Sequence, residues 1–213
     1  MGTKVREMGA EQAKQAKQAK QAKQIVILAS GEGSVAQALF DAVTDIGGQL
    51  HNKIVISRVI TENPNAGILG RAEKSGLATS VIPFRAGAER LAWENELSDE
   101  LVAIDPWLVV SAGFMKILSP DFVAKFKIVN THPSLLPLFP GAHAVRDALA
   151  AGVSESGCTL HYVDAGVDTG AVIAQRKLAV AVNESAESLH ERIKVLEREL
   201  IIFGILALLE RGE

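Results

Sequence analysis

Asn130 and His132 are the first residues whose types and spacing indicate chemistry. They follow the apolar run at residues 126–129, which predicts a short buried strand because two of its residues are β-branched. Residues two apart on a strand point to the same face, so the amide and the imidazole would project together from the strand's carboxyl end. Ligands bind at that end of the strands in open α/β sheets. The pair therefore predicts a site for a polar substrate group.

The loop after this strand is stiffened by three prolines, Pro133, Pro137 and Pro140. Pro133 cannot donate to a sheet ladder, so the strand would end there and the two polar side chains would be held in place. An alternative is that Asn130 and His132 are ordinary turn residues that satisfy nearby backbone groups. The rest of the chain distinguishes these interpretations.

Asp168 is the third candidate, because a carboxylate between Gly166 and Gly170 is placed by its loop backbone. If it reaches His132, its charge would favour the imidazolium form, a useful electrophile at neutral pH. With the Asn130 amide, these groups would stabilise an acyl oxygen that gains negative charge, each good donor contributing about 3 kcal/mol. Neither a Gly-x-Ser-x-Gly motif nor a catalytic cysteine signature occurs, so the substrate itself would supply the nucleophile.

A glycine turn near the start of the domain predicts an anion site. Residues 25–29 indicate a strand buried on both faces, residues 30–34 form the turn, and the apolar spacing of residues 35–43 is helical. Free backbone N–H groups and the helix dipole would point at one spot, which suits a single phosphate. The motif lacks the third glycine and the downstream acidic residue of a dinucleotide site, and a tight turn without a ligand is the alternative.

Strands and helices alternate along the whole chain. Their short connections predict a parallel, doubly wound sheet, in which Asn130 follows the fifth strand. A later strand carries His161, which we interpret as a structural hydrogen-bonding residue and not a ligand. The other predicted strands are residues 53–61, 79–84, 107–111, 159–163 and 171–175, and the other helices are residues 71–74, 88–104, 144–151 and 188–209.

Composition excludes several classes of function. The 213 residues are 48% hydrophobic and 22% charged, with a net charge of -3, so no broad basic field for nucleic acid is expected. The single cysteine, Cys158, excludes an intrachain disulfide, and its alternating apolar surroundings predict a core thiol. No His/Asp/Glu cluster has metal-ligand spacing, and no apolar run reaches the roughly 18 residues of a membrane helix, so neither a metal nor a membrane is predicted.

Residues 1–24 differ from the rest, because Gln-Ala-Lys occurs four times from Gln12 to Lys23 without a large apolar residue. We interpret this segment as a leader or expression extension, disordered or transiently helical, and we place the folded domain at residues 25–213. A natural basic arm is the alternative.

Four motifs, in order, resemble the phosphoribosylglycinamide formyltransferase family, and the similarity spans about residues 25–209. The resemblance implies a single Rossmann-like formyltransferase domain with a mostly parallel central sheet and helices on both faces. It implies transfer of the formyl group of 10-formyltetrahydrofolate to the amine of 5'-phosphoribosylglycinamide in purine biosynthesis. A cytoplasmic monomer or homodimer that acts on small molecules, without nucleic acid or membrane, is also implied. The motifs are residues 30–34, 112–120, 130–137 and 166–170.

The resemblance also assigns site residues. It implies that His132 stabilises the tetrahedral intermediate, that Asn130 holds its oxygen, and that Asp168 tunes His132 and helps to move the proton. For the ribonucleotide the matching residues are Gly33, Ser34, Val35, Lys194 and Glu197. For the folate they are Arg90, Met115, Lys116, Ile117, Leu118, Asn130, Val163 and Asp164. Without the resemblance, Arg90, Lys194 and Glu197 would be interpreted as solvated helix residues.

Two residues depart from the pattern of the family. Val35 stands where many members have an asparagine that helps to hold the phosphate, so weaker ribonucleotide binding is expected. Ala171 replaces a frequent proline after the Asp168 loop, which would loosen that loop slightly.

Other functions compete with this assignment. Methionyl-tRNA formyltransferase and formyltetrahydrofolate hydrolase share the fold, but the first normally carries a C-terminal RNA-binding domain and the second an N-terminal regulatory domain, for which the chain is too short. A nucleotide-binding module without catalysis would keep the glycine turn but would not need Asn130, His132 and Asp168 together.

Overall fold

The computed structural model of the chain describes residues 22–84 and 89–212. These residues form seven strands and six helices around one sheet. The strands are β1 Lys23–Leu28, β2 Ile54–Thr61, β3 Thr79–Val81, β4 Leu108–Ser111, β5 Ile128–His132, β6 Glu155–Tyr162 and β7 Val172–Ala179. The helices are α1 Ser34–Thr44, α2 Gly67–Lys74, α3 Arg90–Ile104, α4 Pro120–Val123, α5 Ala144–Ala150 and α6 Ala186–Arg211.

The sheet has the strand order β3-β2-β1-β4-β5-β6-β7. The first five strands of this order are parallel, whereas β6 runs antiparallel to both β5 and β7. The prediction of a mostly parallel sheet is confirmed. Because β1, β4 and β5 run in one direction, their carboxyl ends meet at one edge of the sheet, and the loops that follow them converge there.

Alternating residues of β1 pack on opposite faces of the sheet. Ile25 and Ile27 belong to a core cluster that includes residues of α1 and α6, and Val26 and Leu28 belong to a second cluster with residues of α3 and α4. All four side chains are fully buried. This confirms that helices cover both faces. None of the helices in residues 22–84 and 89–212 is long and apolar enough to cross a membrane.

The third strand is shorter than predicted, because it ends at Val81 and not at residue 84. The Ile82 N–H still donates to the Thr61 carbonyl at 2.9 Å, but the Ile82 carbonyl accepts from the Trp93 indole. Pro83 has no N–H to continue the ladder. The apolar pattern was therefore typical of a strand, although the backbone partners needed to extend it were missing.

The first strand begins two residues before the predicted domain boundary at residue 25. The Lys23 N–H donates to the Lys53 carbonyl at 2.9 Å, and the Gln24 side chain accepts from the Ser57 hydroxyl at 2.8 Å. Both residues therefore belong to the sheet. The remainder of the predicted extension, residues 1–21, lies outside the described residues, and its interpretation stays a prediction.

The sixth strand begins at Glu155, four residues before the predicted start at residue 159. The first part of this strand was not predicted, because it contains Gly157 and glycine is depleted in strands. A Cβ atom at this position would lie 2.0 Å from the Arg176 carbonyl oxygen of β7. Glycine is therefore required here by the close approach of the neighbouring strand. The seventh strand likewise extends to Ala179, beyond the predicted end at residue 175.

Candidate active site

Asn130 and His132 are among the last residues of β5, at its carboxyl end. The strand extends through His132, so both side chains are held by regular backbone pairing and are not turn residues. They share the face of Ile128, which belongs to the cluster with α3, whereas Val129 belongs to the cluster with α6. Thr131 consequently points to the α6 face. The end of β5 thus presents polar side chains on both sides of the sheet.

The Asn130 amide is held at both of its polar atoms. The Ser111 hydroxyl donates to Oδ1 at 2.9 Å, and Nδ2 donates to His161 Nε2 at 3.2 Å. His161 Nδ1 lies 2.8 Å from the Tyr162 carbonyl, which can only accept, so the ring proton is assigned to Nδ1 and Nε2 is the acceptor. Burial lowers the pKa of His161, which keeps this ring neutral. The second N–H of Nδ2 is left for a ligand.

The His132 imidazole is buried between two oxygen acceptors. Its Nδ1 lies 3.2 Å from Asp168 Oδ2, and its Nε2 lies 2.8 Å from the Phe139 carbonyl. A carbonyl and an ionised carboxylate can only accept, so the imidazolium form satisfies both contacts at once. The exposed fraction of the His132 side chain is 6%, and that of Asp168 is 14%. This ion pair is therefore largely shielded from water.

Asp168 is placed by the backbone of its loop, as the sequence predicted. Its φ of 56° lies in the left-handed region, and its Oδ2 accepts from the Gly141 N–H at 2.8 Å. The loop itself is shaped by Asp164, whose Oδ1 accepts from the Gly166 N–H at 3.0 Å and from the Thr169 hydroxyl at 2.7 Å. Asp164 thus shapes the loop through one oxygen of its carboxylate.

The three predicted groups are brought together at one edge of the sheet. A neutral amide donor, an imidazolium and a carboxylate lie side by side, and no serine or cysteine nucleophile is among them. Cys158 lies on the opposite face of β6, where burial is the main cause that raises the pKa of its thiol to about 12, so it is inert. Such a set can stabilise an oxyanion and accept a proton, but it needs a nucleophile from a substrate.

The glycine turn before α1 has the geometry of an anion site. Gly33 has a φ of 71°, and a Cβ atom there would lie 2.8 Å from the Ile68 side chain. The helix starts at Ser34 without a side-chain cap, so its first N–H groups stay available to a ligand. The Val35 side chain is buried in the core cluster. Val35 can therefore contribute only its N–H to a phosphate, which agrees with the expected loss of a side-chain bond.

Glu197 and Lys194 lie on α6, on the sheet face opposite to His132. Glu197 is only 6% exposed, and it accepts a hydrogen bond from the Thr131 hydroxyl. Burial raises the pKa of Glu197 from its ordinary value near 4.5 to about 7. Lys194 pairs with Glu191 at 2.7 Å and keeps 29% of its side chain exposed. Glu197 is thus not the solvated residue that its helix position alone suggested.

The buried carboxyl of Glu197 is expected to make stability depend on pH. Since its folded pKa is raised, the unfolded chain loses this proton first as pH rises from about 4.5, and stability falls until about pH 7. This rise in the pKa of Glu197 corresponds to a loss on the order of 3 kcal/mol. Glu197→Gln should remove this fall in urea unfolding measured between pH 5 and pH 8. The exposed Glu199→Gln is the control, and an unchanged pH dependence in Glu197→Gln would contradict the assignment.

The predicted folate residues after β4 form a loop with an apolar surface. Met115 and Ile117 are 74% and 66% exposed, whereas Leu118 is buried in the cluster with α3. The loop is tied to the glycine turn, because the Met115 N–H donates to the Ser30 hydroxyl at 2.7 Å. Exposed apolar side chains beside a polar centre are typical of a ligand surface.

Lys116 and Arg90 meet at the ring of Phe84. Lys116 Nζ lies 5.3 Å from the ring centroid and 3.7 Å from a carboxylate oxygen of Glu62, and the Arg90 guanidinium lies 5.8 Å from the same ring. Arg90 also pairs with Glu94 and lines a cavity of about 460 Å³ between α3 and α4. Arg90 therefore shares the Phe84 ring with Lys116 of the loop, and none of its contacts described here is with the trio.

Val163 joins the folate set directly after β6. Its N–H donates to the Ile128 carbonyl at 2.9 Å, and its side chain packs partly buried against the cluster with α3. Val163 therefore lies between the Asn130 strand and the Asp164 loop, on the same sheet face as Asn130. Leu118 and Val163 of the predicted folate set thus lie on the sheet face of Asn130, whereas Lys194 and Glu197 lie on the helix that covers the other face.

Three contacts of the trio were not predicted from the sequence, and one of them is the Gly141 N–H on Asp168. Ser111 was interpreted only as the end of a strand, and the Phe139 carbonyl was not considered. His161 was expected to be a structural hydrogen-bonding residue, and that prediction is confirmed by its bonds to Asn130 and Tyr162. Sheet register is the signal that links Ser111 and His161 to the trio, because both are register partners of Asn130. Within the described residues no group of three metal-ligating side chains occurs.

Known proteins resemble this chain over nearly its whole length. A phosphoribosylglycinamide formyltransferase of Mycobacterium tuberculosis is 42% identical over 190 residues, which are 88% of this chain and 86% of that protein. The Escherichia coli enzyme of the same name is 38% identical over 180 residues, covering 83% of this chain and 82% of its own.

Solved structures agree with this comparison. A crystal structure of glycinamide ribonucleotide transformylase 1 from Symbiobacterium toebii superposes with a TM-score of 0.81 at 34% identity, covering 87% of this chain and 86% of that one. The family model described as formyl transferase matches residues 23–205, starting at the first residue of β1. The chain therefore belongs to the formyl transferase family.

Proposed function

We propose that this protein transfers the formyl group of 10-formyltetrahydrofolate to the amine of 5'-phosphoribosylglycinamide, which agrees with relatives named phosphoribosylglycinamide formyltransferase. The product is the N-formyl ribonucleotide of purine biosynthesis. The observation that carries this proposal is the buried His132–Asp168 pair beside the doubly held Asn130 amide. These groups suit an acyl transfer in which the substrate amine is the nucleophile.

In the reaction, the glycinamide nitrogen attacks the formyl carbon, and the electron pair of the carbonyl double bond moves to its oxygen. The resulting oxyanion accepts a hydrogen bond from the free Asn130 N–H, and it accepts a second one from His132 Nε2–H once this group leaves the Phe139 carbonyl. The amine nitrogen then loses a proton, and the electron pair on the oxygen re-forms the carbonyl double bond. The bond from the formyl carbon to N10 breaks at the same time, and N10 keeps its electron pair and takes up a proton. Asp168 balances the charge of His132 and lies close enough to take part in the proton movement.

The two substrates would approach the trio from opposite faces of the sheet. The phosphate would bind the first N–H groups of α1 at Gly33, Ser34 and Val35, and Lys194 would add a positive charge. Glu197, which reaches Thr131 next to the trio, would bind the ribose hydroxyls. The folate would lie along the loop at residues 115–118 and against Val163, with its N10 directed at Asn130.

The remaining predictions concern the surroundings of the enzyme. The substrates are small molecules, and we infer no nucleic-acid partner, because the net charge is -3 and no broad basic field is expected. A cytoplasmic location and a monomer or homodimer are inferred from the resemblance alone. Size measurement of the purified protein by light scattering would decide between the two oligomeric states.

A spectroscopic assay tests the proposed function directly. Purified protein is mixed with 10-formyltetrahydrofolate, with and without 5'-phosphoribosylglycinamide, and the absorbance change of deformylation is followed. We expect deformylation only when the ribonucleotide is present, because its amine is the proposed nucleophile.

The alternatives give different results in this assay. Deformylation without the ribonucleotide would indicate a hydrolase. No change in either mixture would contradict formyl transfer and would leave a binding module. Calorimetric titration with the ribonucleotide alone would then show whether the glycine turn still binds a phosphate.

A further inference from the structure

Ser111 lies directly beside Asn130 in the sheet. The two residues are register partners on the parallel strands β4 and β5, and Asn130 is in turn the register partner of His161 on β6. Register partners on neighbouring strands point to the same face. Ser111, Asn130 and His161 therefore form one row across three strands, and Ser111 is 8% exposed.

The hydrogen bonds along this row all run in one direction. The Ser111 hydroxyl donates to Asn130 Oδ1, Asn130 Nδ2 donates to His161 Nε2, and His161 Nδ1 donates to the Tyr162 carbonyl. The direction is set at the Tyr162 end, because a backbone carbonyl can only accept. Chains of hydrogen bonds that run one way polarise each other.

We propose that Ser111 is a positioning residue for formyl transfer, which acts by holding and polarising the Asn130 amide. This inference rests on the proposed function. A donor on Oδ1 draws electron density from the amide, so that its free N–H becomes a stronger donor to the oxyanion. The same bond restrains rotation about the bond between Cβ and the amide, which keeps the free N–H directed into the site.

The kinetic test compares Ser111→Ala with Ser111→Thr, which keeps the hydroxyl and suits a strand. Ser111→Ala should lower kcat about 5- to 10-fold with the KM for the ribonucleotide within about twofold, since one neutral hydrogen bond is lost. Ser111→Thr should recover most of this loss. Ser156→Ala is the matched control, because Ser156 is also a buried strand serine but its hydroxyl has no partner in the described structure.

A double substitution separates positioning from a general structural effect. Ser111→Ala should cause no further loss of kcat in an Asn130→Ala background, because the amide through which it acts is gone. An additional 5- to 10-fold loss in that background, or an unchanged kcat in Ser111→Ala alone, would overturn the proposal. The unsubstituted enzyme is assayed in parallel, so a failure of the proposed function is recognised by its own lack of turnover.

A second readout does not depend on turnover. The side-chain amide signals of Asn130 in a proton–nitrogen NMR spectrum are identified by their loss in Asn130→Ala. They should shift in Ser111→Ala and stay in place in Ser156→Ala. Unshifted Asn130 signals in Ser111→Ala would refute the proposed polarisation even if the protein shows no formyl transfer.

Discussion

His132→Ala is expected to lower kcat about 10³-fold, while ribonucleotide binding measured by calorimetry stays within about twofold. The imidazolium is the only charged donor of the described trio, and its removal leaves the Asp168 carboxylate facing the developing oxyanion without compensation. The proposed phosphate and ribose contacts lie at α1 and on the opposite sheet face, so they should not be affected. The measurement is steady-state turnover with both substrates at saturating concentration.

The control for this substitution is His51→Ala. His51 also has one ring nitrogen near a backbone carbonyl, 3.1 Å from Val43, but it lies at the end of the sheet remote from the trio. Its replacement should leave kcat within about twofold, as for most surface substitutions. A His132→Ala enzyme that keeps wild-type turnover would exclude the proposed oxyanion role.

Asp168→Asn is expected to lower kcat about 10²- to 10³-fold, the range for the loss of one charge or proton-transfer group. The amide oxygen of asparagine can still accept from the Gly141 N–H, so the loop should keep its shape. The negative charge beside His132 Nδ1 is lost, however, so the donor to the oxyanion is no longer balanced by a carboxylate. The measurement is steady-state turnover with both substrates at saturating concentration.

The matched control is Asp99→Asn, an exposed aspartate on α3. It carries the same change in net charge at a distance from the trio, and it should not alter kcat by more than about twofold. If Asp168→Asn and Asp99→Asn had the same kcat, Asp168 would have no part in balancing His132.

The surroundings of Asn130 could be predicted from the sequence only in part. The period of two on a strand was enough to place Asn130 and His132 on one face, and the glycine-flanked Asp168 was recognised from its turn. Ser111 and His161 are 19 and 31 residues from Asn130 in the chain, and no local pattern connects them. Only the register of β4, β5 and β6 made them neighbours.

The burial of Glu197 and its raised pKa could not be predicted from the sequence either. Its position on a helix with many charged neighbours indicated a solvated side chain, and only the resemblance singled it out. Packing of α6 on the sheet buried Glu197 against Thr131. This burial raised the pKa of Glu197 to about 7. Whether a residue is buried depends on what packs against it. Glu197 packs against Thr131, which belongs to another element of the chain.

The sequence by itself determined the alternation of strands and helices, the glycine turn before α1 and the identity of the three polar groups, because these follow from local periodicity and backbone preference. The tertiary structure alone decided the ends of β3 and β6, the row from Ser111 to His161, and the contact between His132 and the Phe139 carbonyl. Each of these depends on backbone pairing or burial between residues that are distant in the chain. Such long-range pairing carries no local pattern that a sequence displays.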